Sequence, residues 1–324
     1  MATQRLGHSD IAVSALGVGC NAFGTRVDAD TTREIVDAAL DAGVTFFDTA
    51  DTYGLGASEE LLGAAIAGRR DEIVLATKFG MDMQGVNGDD GDRRGSADYV
   101  RRAAEASLRR LGTDHLDLYQ LHTPDRVTPL EETLGAMTEL VEAGLVRAIG
   151  CSNFAAWELA DARRVAEQGG HAVFATAQNE YSLYNRSAEA ELVPACLALD
   201  VGLLPYFPLA YGLLTGKYQR GEAAPAGTRL SADNQAHRLA NADWDRLEQL
   251  QALADDWDID LLTLAVGGLA AQPAVSSVIA GVSRPSQIAS NAAAAAWTPT
   301  TEQVAALAAL GPDDQSYRPF ATTV

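Results

Sequence analysis

Four side chains stand out by type and place. The chain has 22 arginines but only two lysines, Lys78 and Lys217. In a sequence that uses arginine almost everywhere, a lysine marks a position that needs a compact point charge or a tunable amine, and a guanidinium is neither. Lys78 ends the run Ile73-Val74-Leu75-Ala76-Thr77, and Asp48 ends Val44-Thr45-Phe46-Phe47 with Tyr53 shortly after it. His122 ends Leu116-Asp117-Leu118-Tyr119-Gln120-Leu121. A carboxylate, a phenol, an amine and an imidazole at such positions could perform acid–base chemistry, or the amine could form a Schiff base with a carbonyl. Each also has a plain explanation: a turn aspartate, a packing tyrosine, a snorkelling lysine, a histidine at a strand end. Four such residues at the same end of successive apolar runs argue for one shared site.

The elements that would carry them alternate along the whole chain. Apolar runs at 15–19, 44–48, 73–78, 116–122, 146–150, 173–178, 202–206 and 277–280 read as strands. Amphipathic stretches between them read as helices, the first from a cap at Asp30 to about residue 41, and a later one over 188–200. Strands separated by helices pair in parallel through right-handed crossovers, and eight such units closing on themselves make a (β/α)8 TIM barrel. Segments 3–6 and 11–13, joined by Gly7-His8-Ser9-Asp10, read as a β-hairpin closing the bottom of the barrel. No Pro- or Ser-rich linker interrupts the chain, so residues 1–324 are expected to form a single domain. In a barrel, the carboxyl ends of the strands are the functional face. They collect Asp48, Lys78, His122, Gln178 and Tyr206, with Ser152 and Asn153 just beyond the fifth strand. Gly17-Val18-Gly19-Cys20-Asn21-Ala22 matches a dinucleotide-binding fingerprint, but that motif needs a helix to begin there, and the helical pattern starts only near Asp30.

Composition narrows the class. With 24 basic and 44 acidic residues the formal charge is −20, which argues against nucleic acid or an anionic membrane as partner. A small anionic ligand remains compatible, because it needs only a local basic pocket. No apolar run reaches the roughly 18 residues of a membrane span. Cys20, Cys151 and Cys196 are too few and too far apart for a disulfide framework or a zinc site, and the five histidines lack metal-binding spacing, so no metal is expected. The first residues lack a signal-peptide layout, and the cytoplasm is the expected compartment.

Around these residues the sequence resembles the aldo-keto reductases. The resemblance rests on Phe47-Asp48-Thr49-Ala50-Asp51-Thr52-Tyr53-Gly54 with Ser58-Glu59, Ala76-Thr77-Lys78-Phe79-Gly80, Leu118-Tyr119-Gln120-Leu121-His122 and Gly150-Cys151-Ser152-Asn153-Phe154. It continues through Gln178-Asn179-Glu180-Tyr181-Ser182, the segment from Tyr206 to Tyr218, and Gly281-Val282-Ser283-Arg284-Pro285 with Gln287 and Asn291. It implies reduction of aldehydes or ketones by hydride from a nicotinamide cofactor. Tyr53 would be proton donor and acceptor. Lys78 would lower its pKa from the usual value near 10. Asp48 would hold Lys78, and His122 would bond the substrate carbonyl.

The same resemblance implies cofactor contacts. Ser152, Asn153 and Gln178 would bind the carboxamide, Tyr206 would stack on the ring, and Asn21 would lie on the nicotinamide side. Phe207, Leu209, Gly212 and Lys217 would line the pyrophosphate. Arg229, Gly281, Ser283, Arg284, Gln287 and Asn291 would meet the adenosine end. Many members have proline where Ala280 stands, serine where Phe207 stands and arginine where Gln287 stands. The last change removes a bidentate partner for a 2′-phosphate. Arg284 and Arg229 could replace it, so NADP is expected, with NAD as the alternative. Phe23, Phe79 and Phe154, with Tyr181 and the tail at 317–320, would wall the substrate pocket or else be core aromatics. The Gly- and Asp-rich segment 81–97 reads as a lid or a surface excursion. Two other functions fit parts of the pattern. A regulatory protein could hold the cofactor and turn over slowly. A barrel aldolase could use Lys78 for a Schiff base, but this would leave Ser152, Asn153 and the block 281–291 without a role. The expected partner is a small carbonyl substrate, and monomer and homo-oligomer are both open.

Overall fold

A computed structural model describes residues 1–311. Two short strands, β1 (Thr3–Arg5) and β2 (Ala12–Ser14), form an antiparallel hairpin. Eight parallel strands follow: β3 (Leu16–Gly19), β4 (Phe46–Asp48), β5 (Val74–Phe79), β6 (Leu116–Leu121), β7 (Val146–Ser152), β8 (Thr176–Glu180), β9 (Gly202–Tyr206) and β10 (Val278–Gly281). Each pairs with the next, and β10 pairs with both β9 and β3, so the sheet closes into a barrel.

Helices fill the crossovers: α1 (Ala29–Asp41), α2 (Ala57–Ala65), α3 (Ala97–Leu111), α4 (Leu130–Glu142), α5 (Ala156–Gly169) and α6 (Leu192–Leu199). Then come α7 (Ala236–Ala240), α8 (Trp244–Asp256), α9 (Leu261–Ala270), α10 (Pro285–Ala295) and α11 (Thr301–Ala309). Two boundaries differ from the sequence reading. Asp28, not Asp30, caps α1, its Oδ1 accepting from the Thr31 amide at 2.9 Å. The helix expected from residue 188 starts at Leu192, after a short 3₁₀ turn over Ser187–Glu189. Pro194 is the reason: its missing amide is tolerated only in a first turn. Between Gly19 and α1 the chain runs as loop, so the glycine fingerprint has no helix behind it. Gly17 instead makes room inside the barrel, where a Cβ would lie 2.7 Å from Ile279 Cδ1.

The barrel is filled in layers. Leu6, Ile11 and Val13 of the hairpin form one apolar cluster with Phe46, Ala76, Leu118, Leu204 and Ile279, closing the barrel at the amino ends of the strands. Gly7 permits that approach, for with φ +51° its absent Cβ would fall 2.1 Å from the Ala175 carbonyl. Strand side chains repeat every second residue. The inward positions two residues beyond Phe46, Ala76, Leu118 and Thr176 are therefore Asp48, Lys78, Gln120 and Gln178. The apolar layer thus carries a polar one directly above it. A second, larger core lies between the barrel and its helices and takes the outward-facing strand residues such as Phe47, Phe79 and Tyr119.

Candidate active site

The strand ends bring the acid–base candidates into direct contact. Lys78 Nζ, fully buried, donates to Asp48 Oδ2 at 2.7 Å, to the Thr49 carbonyl at 2.8 Å and toward Tyr53 Oη at 3.4 Å. Asp48 Oδ1 accepts from Gln178 Nε2 at 2.9 Å and Gln120 Nε2 at 3.2 Å. Every ammonium proton is thus aimed at an oxygen, and both carboxylate oxygens are bonded, as a buried charge pair requires. Burial acts most strongly on Lys78 and favours the neutral amine, but Asp48 and Tyr53 together outweigh it and raise its pKa. The ion pair with Asp48 thus favours the charged amine over the neutral nucleophile that a Schiff base needs.

Tyr53 behaves differently from the sequence expectation. Lys78 does pull its pKa down, but burial, the larger effect, together with Asp48 leaves the phenol above its ordinary value. The hydroxyl therefore keeps its proton at neutral pH. His122 lies against it, with ring centroids 5.9 Å apart and the rings nearly perpendicular. Burial and then the Lys78 charge hold the His122 pKa well below the usual histidine value. The ring is neutral, and its Nδ1 is buried without a partner among the described residues.

Beside this group sits a second polar cluster. Asn153, in the left-handed region at φ 61°, donates through Nδ2 to the His122 carbonyl at 2.9 Å and accepts from Tyr206 Oη at 2.7 Å. Ser152 Oγ donates to the Gln178 carbonyl at 2.8 Å. Gln178, read from sequence as a cofactor ligand, donates through its amide nitrogen to Asp48. Tyr206 packs edge-on against Phe207, which packs against Tyr211.

The segment after β9 forms a cradle. Phe207, Ala210, Tyr211 and Gly212 all have positive φ, and the Ala210 amide donates to the Phe207 carbonyl at 2.9 Å, so the segment folds tightly on itself. Leu209 accepts the Gly212 amide at 2.7 Å, and a Cβ on Gly212 would come within 3.4 Å of Lys217 Nζ. Arg229 lies over Phe207 and Tyr211, and Arg238 lies 3.7 Å from the Tyr211 ring centroid. Burial first, then Arg26 and Arg238, lower the Arg229 pKa, so three arginines share one field. Among the described residues none of the three is ion-paired to a carboxylate. In a chain of net charge −20, that concentration of positive charge, with Glu180 as the carboxylate in the field of Arg238, fits a phosphate-bearing group, and the residues present suit a nicotinamide dinucleotide. Arg26, Arg238 and Tyr211 were not singled out by sequence, since nothing local distinguishes them from other surface residues.

On the far side of β10, a Cβ on Gly281 would meet Asn21 Oδ1 at 3.4 Å, which puts Asn21 beside the adenosine-end candidates. Gln287 Oε1 accepts the Ser283 amide at 2.8 Å, folding back onto the loop before α10. Arg284 is exposed at the start of that helix, and Asn291 is buried on it.

Phe23, Phe79 and Phe154, read as pocket walls or core aromatics, are buried in the large core cluster, with Phe79 stacked on Tyr119 and Phe154 edge-on to Phe174. Phe79 alternates with the inward Lys78 along β5 and so lies on the other side of the wall. Tyr181 is buried likewise, and the tail at 317–320 lies outside the described residues. An open cleft of about 310 Å³ exists elsewhere, lined by Gly80, Asp92, Arg94, Thr123, Arg126 and Val127 beside the ends of β5 and β6. A larger one of about 620 Å³, near Thr215 and Asp255, touches none of the candidates. Segment 81–97 is tied down rather than projecting: Met83 and Asn87 are buried, and the Gly95 carbonyl accepts from Thr133 Oγ1 at 2.7 Å.

A parallel barrel with a buried amine–carboxylate pair feeding a phenol, next to a phosphate-sized cradle, defines a barrel oxidoreductase site. Comparison with known proteins agrees. Residues 15–312 match the aldo/keto reductase family model. The chain is 37% identical over 284 residues to "Uncharacterized oxidoreductase YrpG" of Bacillus subtilis (strain 168), covering 85% of each. It is 34% identical to a "Probable voltage-gated potassium channel subunit beta" of Oryza sativa subsp. japonica, covering 90% of each. The solved holo form of aldo-keto reductase AKR11C1 from Bacillus halodurans superposes with a TM-score of 0.77 at 31% identity, covering 98% of this chain and 99% of that one. The chain belongs to the aldo/keto reductase family, and it is an oxidoreductase dependent on a nicotinamide cofactor and acting on small carbonyl compounds. No helix among the described residues is long and apolar enough to cross a membrane.

Proposed function

We propose that this protein reduces small aldehydes or ketones to alcohols with NADPH, with Tyr53 as the proton donor. The contact of Lys78 Nζ with Tyr53 Oη at 3.4 Å, on an amine anchored by Asp48, carries this reading. The phenol holds its proton at rest, as a donor must. Negative charge that grows on its oxygen as the proton leaves meets a fixed ammonium, which is worth more in a dry site than in water. His122, being neutral, orients the carbonyl through a ring N–H without competing as an acid.

The bound dinucleotide supplies the hydride. Ser152, Asn153 and Gln178, with Tyr206 as ring platform, would hold its nicotinamide end. Phe207, Leu209, Gly212 and Lys217 would hold the pyrophosphate. Arg229, Gly281, Ser283, Arg284, Gln287, Asn291 and Asn21 would line the rest. NADP is preferred over NAD because Arg229 and Arg284 form no ion pair with a carboxylate among the described residues, which suits them to a 2′-phosphate. The experiment is a turnover screen of aldehydes and ketones with NADPH and NADH. Faster reduction with NADPH supports the reading, and tight cofactor binding without turnover of any carbonyl would return the slow regulatory alternative.

A further inference from the structure

The polar residues behind the barrel wall form a chain that the proposed reaction does not use directly. Thr77 Oγ1 donates to Glu59 Oε1 at 2.6 Å. Arg110 Nε donates to Glu59 Oε2 at 2.6 Å, and Arg110 Nη1 donates to Asn87 Oδ1 at 3.0 Å. Asn87 Nδ2 donates in turn to Asp51 Oδ2 at 3.0 Å. Glu59, Thr77, Asp51 and Asn87 are all buried.

The two ends of this chain are what give it significance. Thr77 directly precedes Lys78, and Asp51 lies two residues before Tyr53. The Asp51 amide also donates to the Lys78 carbonyl at 3.1 Å. The side-chain chain therefore runs from the backbone beside the amine to the backbone beside the phenol, in parallel with their direct 3.4 Å contact. Asn87 is its one link from outside the barrel and α2–α3. It comes from the loop after β5, between Gly85 and Gly88, both at positive φ, with Met83 buried just before it. That loop also supplies Asp92 and Arg94 to the cleft beside β5 and β6. Asp51 Oδ1 has no partner among the described residues, and Asn87 is the side chain that bonds Oδ2, with the Thr52 amide as the backbone restraint on the same carboxyl group.

We infer that Asn87 is a positioning residue for proton transfer: it closes a buried brace that fixes the Tyr53 segment relative to Lys78 and couples that segment to the cleft wall. The inference rests on the proposed role of Tyr53. Displacement of a reacting group by an ångström from a remote change costs up to about 100-fold in rate, and loss of one brace among several restraints should cost less.

The test exchanges the two ends of one hydrogen bond. Asn87→Asp keeps the acceptor for Arg110 but puts a second carboxyl group against Asp51 in place of the amide donor. Asp51→Asn in the same chain restores a donor, now pointing the other way, at unchanged net charge. The expected results are a kcat about tenfold lower for Asn87→Asp and recovery to within about threefold in the exchanged pair. Cofactor affinity, read by fluorescence titration, should stay within twofold throughout. Asn87→Ala serves as the uncharged control and should lose kcat similarly. A kcat for both single variants equal to that of the unaltered enzyme overturns the inference, as does an exchanged pair that folds but stays as slow as Asn87→Asp. If the unaltered enzyme itself reduces no carbonyl in the screen, it is the proposed function that fails. The exchanged pair and the alanine control then test packing alone through their melting temperatures.

Discussion

Replacing Lys78 by methionine separates the two things this residue does. The stem is kept and the ammonium removed. The Asp48 carboxylate, almost wholly buried, then keeps only the amides of Gln120 and Gln178 as partners. Breaking a buried ion pair by deleting one partner destabilises by about 3–5 kcal/mol. The rate should fall for another reason. Unit charges 3.4 Å apart interact by about 5 kcal/mol at an effective dielectric constant of about 20. If half of the phenolate charge has developed at the transition state, the loss is about 2.5 kcal/mol, or about two decades in kcat. Adding Asp48→Asn removes the orphaned charge, so the double variant should regain most of the melting temperature and none of the rate. The assay pairs thermal melts with single-turnover reduction on the same preparations. A double variant that recovers kcat to within tenfold of the unaltered enzyme would refute the claim that the ammonium stabilises the departing proton's site, because it would assign the whole loss to misfolding.

Tyr53→Phe keeps the ring and deletes the acid, so carbonyl reduction should drop by two orders of magnitude or more with cofactor affinity retained, checked by steady-state kinetics and titration; near-normal turnover would end its assignment as proton donor. Arg229→Ala and Arg284→Ala should each weaken NADPH by about one to two decades and NADH much less, as a charge-assisted contact of about 1.5–3 kcal/mol predicts; equal losses for both cofactors would show that neither reads the 2′-phosphate. Burial first, and then Glu59, push the Asp51 pKa up to about 8. The folded state therefore holds a proton that the unfolded chain gives up near pH 4, so stability from this group is full at acid pH and is lost as pH rises through about 8. Asp51→Asn should flatten the decline in melting temperature between pH 5 and pH 9, and an unchanged slope would contradict it.

The barrel was legible in the sequence because its signal is local and repeated. Five of the eight strand runs end in a polar residue, and the crossovers show helical spacing, so the strand ends at Asp48, Lys78 and His122 could be placed on one face by counting alone. What stayed open was whatever depends on the neighbour across the barrel. Phe79 follows Lys78 by one residue, and a period of two sends it to the opposite side of the wall, onto Tyr119. The same alternation that located the amine therefore puts the phenylalanine among the core aromatics, one of the two readings its sequence allows. Gln178 is a different case. Its position was right, but nothing in its own segment reveals that Asp48, 130 residues earlier, accepts from its amide.

The phenol's acidity was hidden in the same way. From sequence, a cation beside Tyr53 lowers its pKa; in the fold, burial and the anchoring carboxylate come with that cation and outweigh it. The two features cannot be separated, because an ammonium held at 3.4 Å from the phenol needs Asp48 to hold it, and a dry site to make the charge effective. The same desolvation that raises the resting pKa also strengthens the attraction that Lys78 exerts once the proton begins to leave. A resting phenol above its ordinary pKa is therefore compatible with fast donation, provided the ammonium stays charged. Asp48 and Tyr53, which raise the Lys78 pKa against burial, supply that condition.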